Sequence, residues 1–211
     1  MKRGEIVYRA DQRIKAVYFP EEALIAMVDT TEDRRTVEVG LIGREGIVGI
    51  NIFLGGVVTP DRAIVQLPGG AFRMKSIDLR REVRFGSPLQ RLLLNYTRTF
   101  LAVISQSVAC SQHHSVEQRL ARWLLTMDDY AGAREFLMDH GSIAAMLGVR
   151  REGISEAAHR LRKASLMDYR RGRVTILDRR GLQKRSCECY RFILREYGSL
   201  RGEVPRLLSR E

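Results

Sequence analysis

The stretch from Asp139 to Asp178 constrains this chain more than any other. Ile143, Ala144 and Leu147 form a narrow apolar stripe on a short helix expected from Ser142 to Leu147. Asp139 is placed to accept the orphan backbone N–H groups at its start. Gly148 follows where the chain must reverse, because glycine enters the left-handed region without a Cβ clash. A second helix is predicted over Arg150 to Ala164, with Val149, Ile154, Ala157, Ala158 and Leu161 on its buried side. The small Ala144 and Ala145 let the two helices cross closely. Leu166 to Tyr169 and Val174 to Leu177 then read as two strands joined by Arg170-Arg171-Gly172-Arg173, an arginine-tipped hairpin. Two helices hinged on glycine and followed by a hairpin are the plan of a helix-turn-helix with a wing.

The outward residues of the second helix and its entry are Arg150, Arg151, Glu152, Ser155, Glu156 and Arg160. In a major groove, Arg pairs with guanine O6 and N7 and Glu accepts from cytosine N4. The hairpin arginines Arg171 and Arg173 cannot be buried and are expected to lie against phosphate. Between Gly148 and Arg185 stand twelve Lys and Arg against four acids, a net +8 of the chain's total of +11. Such a concentration suits displacement of counterions from a duplex. A plain helical hairpin also carries a solvated charged face, but without the turn glycine, the small residues and the wing together. A membrane surface attracts the same charge, yet no amphipathic helix with exposed aromatics accompanies it. Double-stranded DNA is the expected partner.

Leu147-Gly148-Val149-Arg150-Arg151-Glu152, Tyr169-Arg170-Arg171-Gly172 and Asp178-Arg179-Arg180-Gly181-Leu182 resemble the CRP/FNR family of bacterial transcription regulators. The resemblance implies an α+β chain made of an N-terminal beta-roll (a double-stranded beta-helix), a long dimerisation helix and a C-terminal winged helix-turn-helix. It implies a homodimer on a palindromic operator, with RNA polymerase as a candidate partner. By position, the family's base-reading residues fall on Arg151, Glu152, Ser155 and Glu156. The best-known member has Arg at the last of these, so a different preferred sequence is expected here.

The resemblance also places the effector cassette on Gly43-Arg44-Glu45-Gly46, through Gly49, to Arg62-Ala63. In nucleotide-binding members a Glu follows the cassette glycine and holds the ribose hydroxyl, and an Arg followed by small polar residues pairs the cyclic phosphate. Here Ile50 follows Gly49, and Ala63 follows Arg62. An apolar side chain cannot hydrogen-bond a ribose, and a site built on polar contacts loses much when one is missing. Gly49 and Arg62 are the ligand-binding candidates, Arg62 reading either as an anion ligand or as a surface arginine. Cyclic nucleotide is not expected. The alternative function is a ligand- or redox-sensing protein whose DNA binding is switched by an unidentified small molecule in the roll.

The first 75 residues alternate short apolar runs with turn residues, the sign of a roll or sandwich. Val37, Val39 and Leu41 alternate with polar neighbours and Gly40 at period two. Ser87 and Pro88 can open a long helix. Along it Leu89, Leu93, Tyr96, Phe100, Val103, Ser107 and Cys110 recur at heptad spacing, and a second stripe runs Leu94, Thr97, Leu101, Ile104 and Val108. Two apolar faces need two partners: the helix's own roll and the same helix of a second chain. Leu93, Tyr96, Phe100 and Val103 are assigned to the dimer. Ser115 with Gln118 makes a capping box opening the first helix of the last domain, whose core includes the lone Trp123. The expected domains are 1–86, 87–111 and 112–211, with a last helix from Leu182 to about Tyr197.

No catalytic set is evident. All four histidines (His113, His114, His140, His159) follow the beta-rich half, so a metal enzyme in the roll finds no ligand cluster. Cys187 and Cys189, if helical, face apart at i and i+2, and His113-His114 reads as a solvated hinge. Neither metal nor cofactor is therefore expected. Three cysteines in no disulfide framework, without a signal peptide or an apolar run near the roughly 20 residues a membrane span needs, suit the cytoplasm.

Overall fold

Leu24-Ile25-Ala26-Met27-Val28 is the apolar run around which the first unit is built. The computed structural model describes residues 1–33, 35–132 and 135–208, with side chains through Gly202. In it the chain divides into two compact units. One comprises Met1–Asp29, Val39–Ile104 and the chain from Leu194 on. The other comprises Thr30–Glu38 and Ser105–Ile193.

In the first unit, β1 (Ile6–Tyr8), β3 (Leu24–Thr30), β4 (Thr36–Ile42) and β5 (Arg62–Leu67) form one sheet in the order β1-β5-β3-β4. β2 (Ala16–Pro20) and β6 (Ala71–Lys75) pair separately, from Ala16 opposite Lys75 to Pro20 opposite Ala71. Val17, Leu24, Ile25, Ile42, Ile47, Val48 and Val65 are buried, the filled interior expected of a roll. Helix α1 (Ser76–Glu82) buries Leu79. The period-two reading of β4 holds, but its phase is corrected. Val37 is exposed, and Gly40 and Ile42 are the buried residues. A Cβ at Gly40 would meet the Phe100 ring at 2.9 Å, so a residue without a side chain serves the inward face.

Helix α2 (Pro88–His113) opens as expected, with Ser87 Oγ accepting from Gln90 N at 3.2 Å. The assignment of its faces is corrected. Leu93, Tyr96, Phe100 and Val103, assigned to the dimer, are 4–8% exposed. Tyr96 lies against Gly46, where a Cβ would sit 2.7 Å from the ring, and Phe100 lies against Gly40. The stripe left open is the other one: Leu94 is 52%, Leu101 59% and Val108 61% exposed. Sequence spacing cannot tell two seams on one helix apart. Gly40 and Gly46 decide, because they leave room for the two aromatic rings.

In the second unit, α3 (Val116–Ala131) carries the predicted capping box and buries Leu120, Trp123, Leu124 and Met127. α4 (His140–Leu147) and α5 (Arg151–Lys163) follow, then β8 (Met167–Arg170) and β9 (Arg173–Ile176). β7 (Glu135–Leu137), which the sequence reading missed, completes a sheet in the order β7-β9-β8. Three residues are too few for a periodic signal; Phe136 holds the strand by packing edge-on against Trp123 at 6.1 Å.

The last helix is in fact two, α6 (Arg179–Arg185) and α7 (Cys189–Leu208). Asp178 caps α6 by accepting from Gly181 N at 2.9 Å. The break at residues 186–188 overturns the helical reading of the two thiols. Cys187 sits outside any helix, and both cysteines are buried beside Cys110. His114 is likewise no solvated hinge, its side chain being 15% exposed. No helix among the described residues is long and apolar enough to cross a membrane.

Candidate nucleic-acid interface

The helix pair is fixed from both ends. Asp139 accepts from Ser142 N at 2.9 Å and from Ser142 Oγ at 2.6 Å. Those bonds hold its carboxyl below the usual range, because they favour the charged form. At the other end Gly148 adopts φ 62°, with its N–H bonded to Ala145 O and that of Val149 to Ala144 O at 3.0 Å. The Arg119 guanidinium adds a bond to the Leu147 carbonyl, closing the end of α4. Ile143, Ala144 and Leu147 on α4 and Ile154, Ala157, Ala158 and Leu161 on α5 are buried, and the two helices pack on each other. Fully burying a leucine or isoleucine contributes about 1.5–3 kcal/mol, so this packing sets the crossing.

The start of α5 is open. Arg150 occupies the cap position with no side-chain bond to the helix N–H groups. Uncapped donors and the positive end of the helix dipole suit a phosphate. Arg150, Arg151, Glu152, Ser155, Glu156 and Arg160 are all exposed, as expected, but they are not equivalent. Arg150 and Arg151 have no ion-pair partner among the described residues, and Arg35 joins them around a cavity of about 780 Å³ that Gly148 also lines. Ser155 Oγ donates to the Arg151 carbonyl at 3.1 Å and faces His140 Nδ1 at 3.0 Å. The His140 ring in turn stacks on Tyr169 at 4.1 Å. Burial, and then the nearby Arg151 charge, lower the pKa of His140 and favour a neutral ring.

Three of the expected contact residues have partners inside the unit. Arg160 pairs with Glu117 at 2.8 Å and with Glu156 at 2.7 Å, so its charge and that of Glu156 are mutually satisfied. Ser155 Oγ is likewise engaged, by the Arg151 carbonyl and His140.

The wing is a two-residue hairpin. Arg171 at φ 50° and Gly172 at φ 78° turn the chain between Arg170 and Arg173, which face each other in register. Positive φ at both central residues is the turn that matches strand twist. Only Arg171 stands at the tip. Arg173, also expected to grip phosphate, lies in β9 and pairs with Glu135. Arg162 and Arg170 share Asp168, at 3.1 and 2.7 Å. Arg185 reaches Glu117 at 3.2 Å, and Arg179 binds Asp128 and Asp129. Six of the twelve cationic residues are thus paired within the unit. Arg150, Arg151, Lys163, Arg171, Arg180 and Lys184 remain without an acidic partner among the described residues.

The cassette of the roll offers much less. Gly49 takes φ 91° ahead of a short turn at Ile50–Ile52, and a Cβ there would meet Ile14 and Val17 at 3.3 and 3.2 Å. Ile50 is buried, so the position expected of a ribose ligand is part of the core. Arg62 pairs with Val28 in the ladder between β3 and β5, its Nε buried without a hydrogen-bond partner.

Residues 118–185 match the family model of the Crp-like helix-turn-helix domain. No curated protein is similar to the chain in sequence at a significant level. Solved structures are similar over most of its length. A CRP-family transcriptional regulator of Thermus thermophilus superposes with a TM-score of 0.75 at 20% identity, covering 88% of this chain and 95% of that one. FixK2 of Bradyrhizobium japonicum gives 0.73 at 18% identity, with 88% and 94% covered. CLP of Xanthomonas campestris, a c-di-GMP-responsive global regulator, gives 0.66 at 15%, with 83% and 91% covered. Residues 118–185 thus carry a Crp-like helix-turn-helix domain, the part that marks a DNA-binding transcription regulator, and most of the chain has the fold of these solved regulators.

Proposed function

We propose that the chain works as a homodimer on a near-palindromic operator, with the N-terminal turn of α5 in the major groove. Arg151 and Glu152 read base edges, Arg150 and Arg171 hold phosphate, and Ser155, Glu156 and Arg160 keep the helix in position. The observation that carries this reading is the contrast within α5. Arg151 and Glu152 in its first turn are exposed and without an ion-pair partner among the described residues, while the later Arg160 is neutralised by Glu117 and Glu156.

The dimer uses Leu94, Leu101 and Val108, seven residues apart on one helix and all exposed. Side chains at that spacing share a face, and a second copy of the same helix is the self-complementary partner a two-fold axis supplies. Two reading helices then meet half-sites about 10 base pairs apart. The buried Ile50 argues against cyclic nucleotide as the effector, and nothing in the reading calls for catalysis.

Sedimentation equilibrium of the full chain, alone and with duplexes enriched from a random pool, tests the proposal. A dimer alone and a complex of two chains per duplex are expected. A monomer that binds every duplex equally would overturn it.

A further inference from the structure

Cys110 near the end of α2, His114 just past it, and Cys187 and Cys189 at the break between α6 and α7 converge inside the second unit. We propose that these four residues form a Cys3His site for one zinc-type divalent metal ion, a staple joining the two helix junctions of the DNA-binding unit.

The spacing of the donor atoms carries the inference. The one nitrogen and three sulfur atoms all lie within 4.8 Å of one another. Cys110 Sγ and Cys187 Sγ are 3.6 Å apart, and Cys189 Sγ is 3.6 Å from His114 Nδ1. A tetrahedral ion with sulfur at about 2.3 Å and nitrogen at about 2.0 Å has ligand–ligand edges of about 3.5–3.8 Å. The set therefore encloses one ion. An iron–sulfur cluster, with several atoms between its ligands, needs a wider cage.

The surroundings agree. His114 turns its other nitrogen to Glu188 Oε1 at 3.2 Å, which fixes the tautomer that leaves Nδ1 free to ligate. Gln106 Nε2 donates to Cys189 Sγ at 3.1 Å, a bond that steadies a thiolate. Binding releases three thiol protons and leaves a net charge of −1 on the ion and its ligands. Arg122 and Arg119, which interact electrostatically with Cys110, are placed to offset it. The cysteines are 0–3% exposed. Neither the sequence separation of 77 residues between Cys110 and Cys187 nor a two-residue Cys187–Cys189 spacing forms a metal motif by itself, so the fold alone assembles the site.

The test uses the full untagged chain, purified under reducing conditions. Elemental analysis should find one zinc per chain after desalting. Replacement by cobalt should give the thiolate charge-transfer and intense visible bands of a tetrahedral centre, lost in Cys187→Ser and altered in His114→Ala. If a variant fails to fold, the wild type still decides, since its thiols should resist alkylation until a chelator is added. Substoichiometric metal, cobalt spectra without thiolate bands, an iron–sulfur chromophore or a Cys110–Cys187 disulfide in the protein as purified would each overturn the proposal.

Discussion

The two faces of α2 look alike in sequence and differ completely in the molecule. Leu93, Tyr96, Phe100 and Val103 are buried, the two rings against Gly46 and Gly40 of the roll, while Leu94, Leu101 and Val108 stay open, the first two each directly following a buried residue. The same division separates the two units. In the roll, the cassette positions Gly49 and Ile50 are absorbed into packing. In the helix-turn-helix, Arg150 and Arg151 have no ion-pair partner among the described residues at the start of α5. An apolar or charged residue announces a surface only when the fold has not already used it.

Substitutions on the two faces of α2 should therefore fail in different ways. Phe100→Ala leaves a void beside Gly40 and should cost about 3–5 kcal/mol of stability, measured by denaturant unfolding. Leu101→Asp should leave unfolding of the monomer nearly unchanged and dissociate the proposed dimer, read by sedimentation. If Phe100→Ala dissociated the dimer without unfolding the roll, the corrected assignment of the faces would fail.

Within the DNA-binding unit, Arg151→Ala should lower operator affinity by about 1–3 kcal/mol, roughly 5- to 150-fold. Arg171→Ala should weaken all duplexes alike and reduce the salt slope by about one. Arg173→Ala, whose charge is already paired with Glu135, should change affinity less than Arg171→Ala in the same titration. An equal loss for the two would show that Arg173 leaves Glu135 for phosphate.

The smallest effect concerns Glu38, whose carboxyl meets Trp123 Nε1 at 3.4 Å. Burial raises its pKa from 4.5 to about 7, opposed by the Trp123 bond and the Arg122 charge. A raised folded-state value means that the folded state holds the proton longer. This contribution to stability is full below pH 4.5 and is lost as pH rises to about 7. Fluorescence of the lone Trp123 should titrate near pH 7, and Glu38→Gln should abolish that transition. A flat wild-type profile would contradict the buried carboxyl.

The helix-turn-helix was legible because its signals are local: Asp139 three residues before Ser142, Gly148 at the reversal, apolar residues at helical spacing. The existence of β4 and of the long helix was legible for the same reason. Which side of each is buried was not, since that depends on Gly40 and Gly46 meeting Phe100 and Tyr96 from distant parts of the chain. The ion pairs of Arg160 with Glu117 and of Arg173 with Glu135 join residues 43 and 38 positions apart, and no periodicity reports them. The cluster of Cys110, His114, Cys187 and Cys189 was hidden by taking the break before α7 for continuous helix.

Selection of duplexes from a random pool, run side by side with the wild type and with Arg151→Ala, tests most directly whether the first turn of α5 reads sequence. The account predicts a two-fold symmetric site for the wild type and relaxed preference at one symmetry-related pair of positions for the variant. Identical enriched sites for both proteins would contradict it.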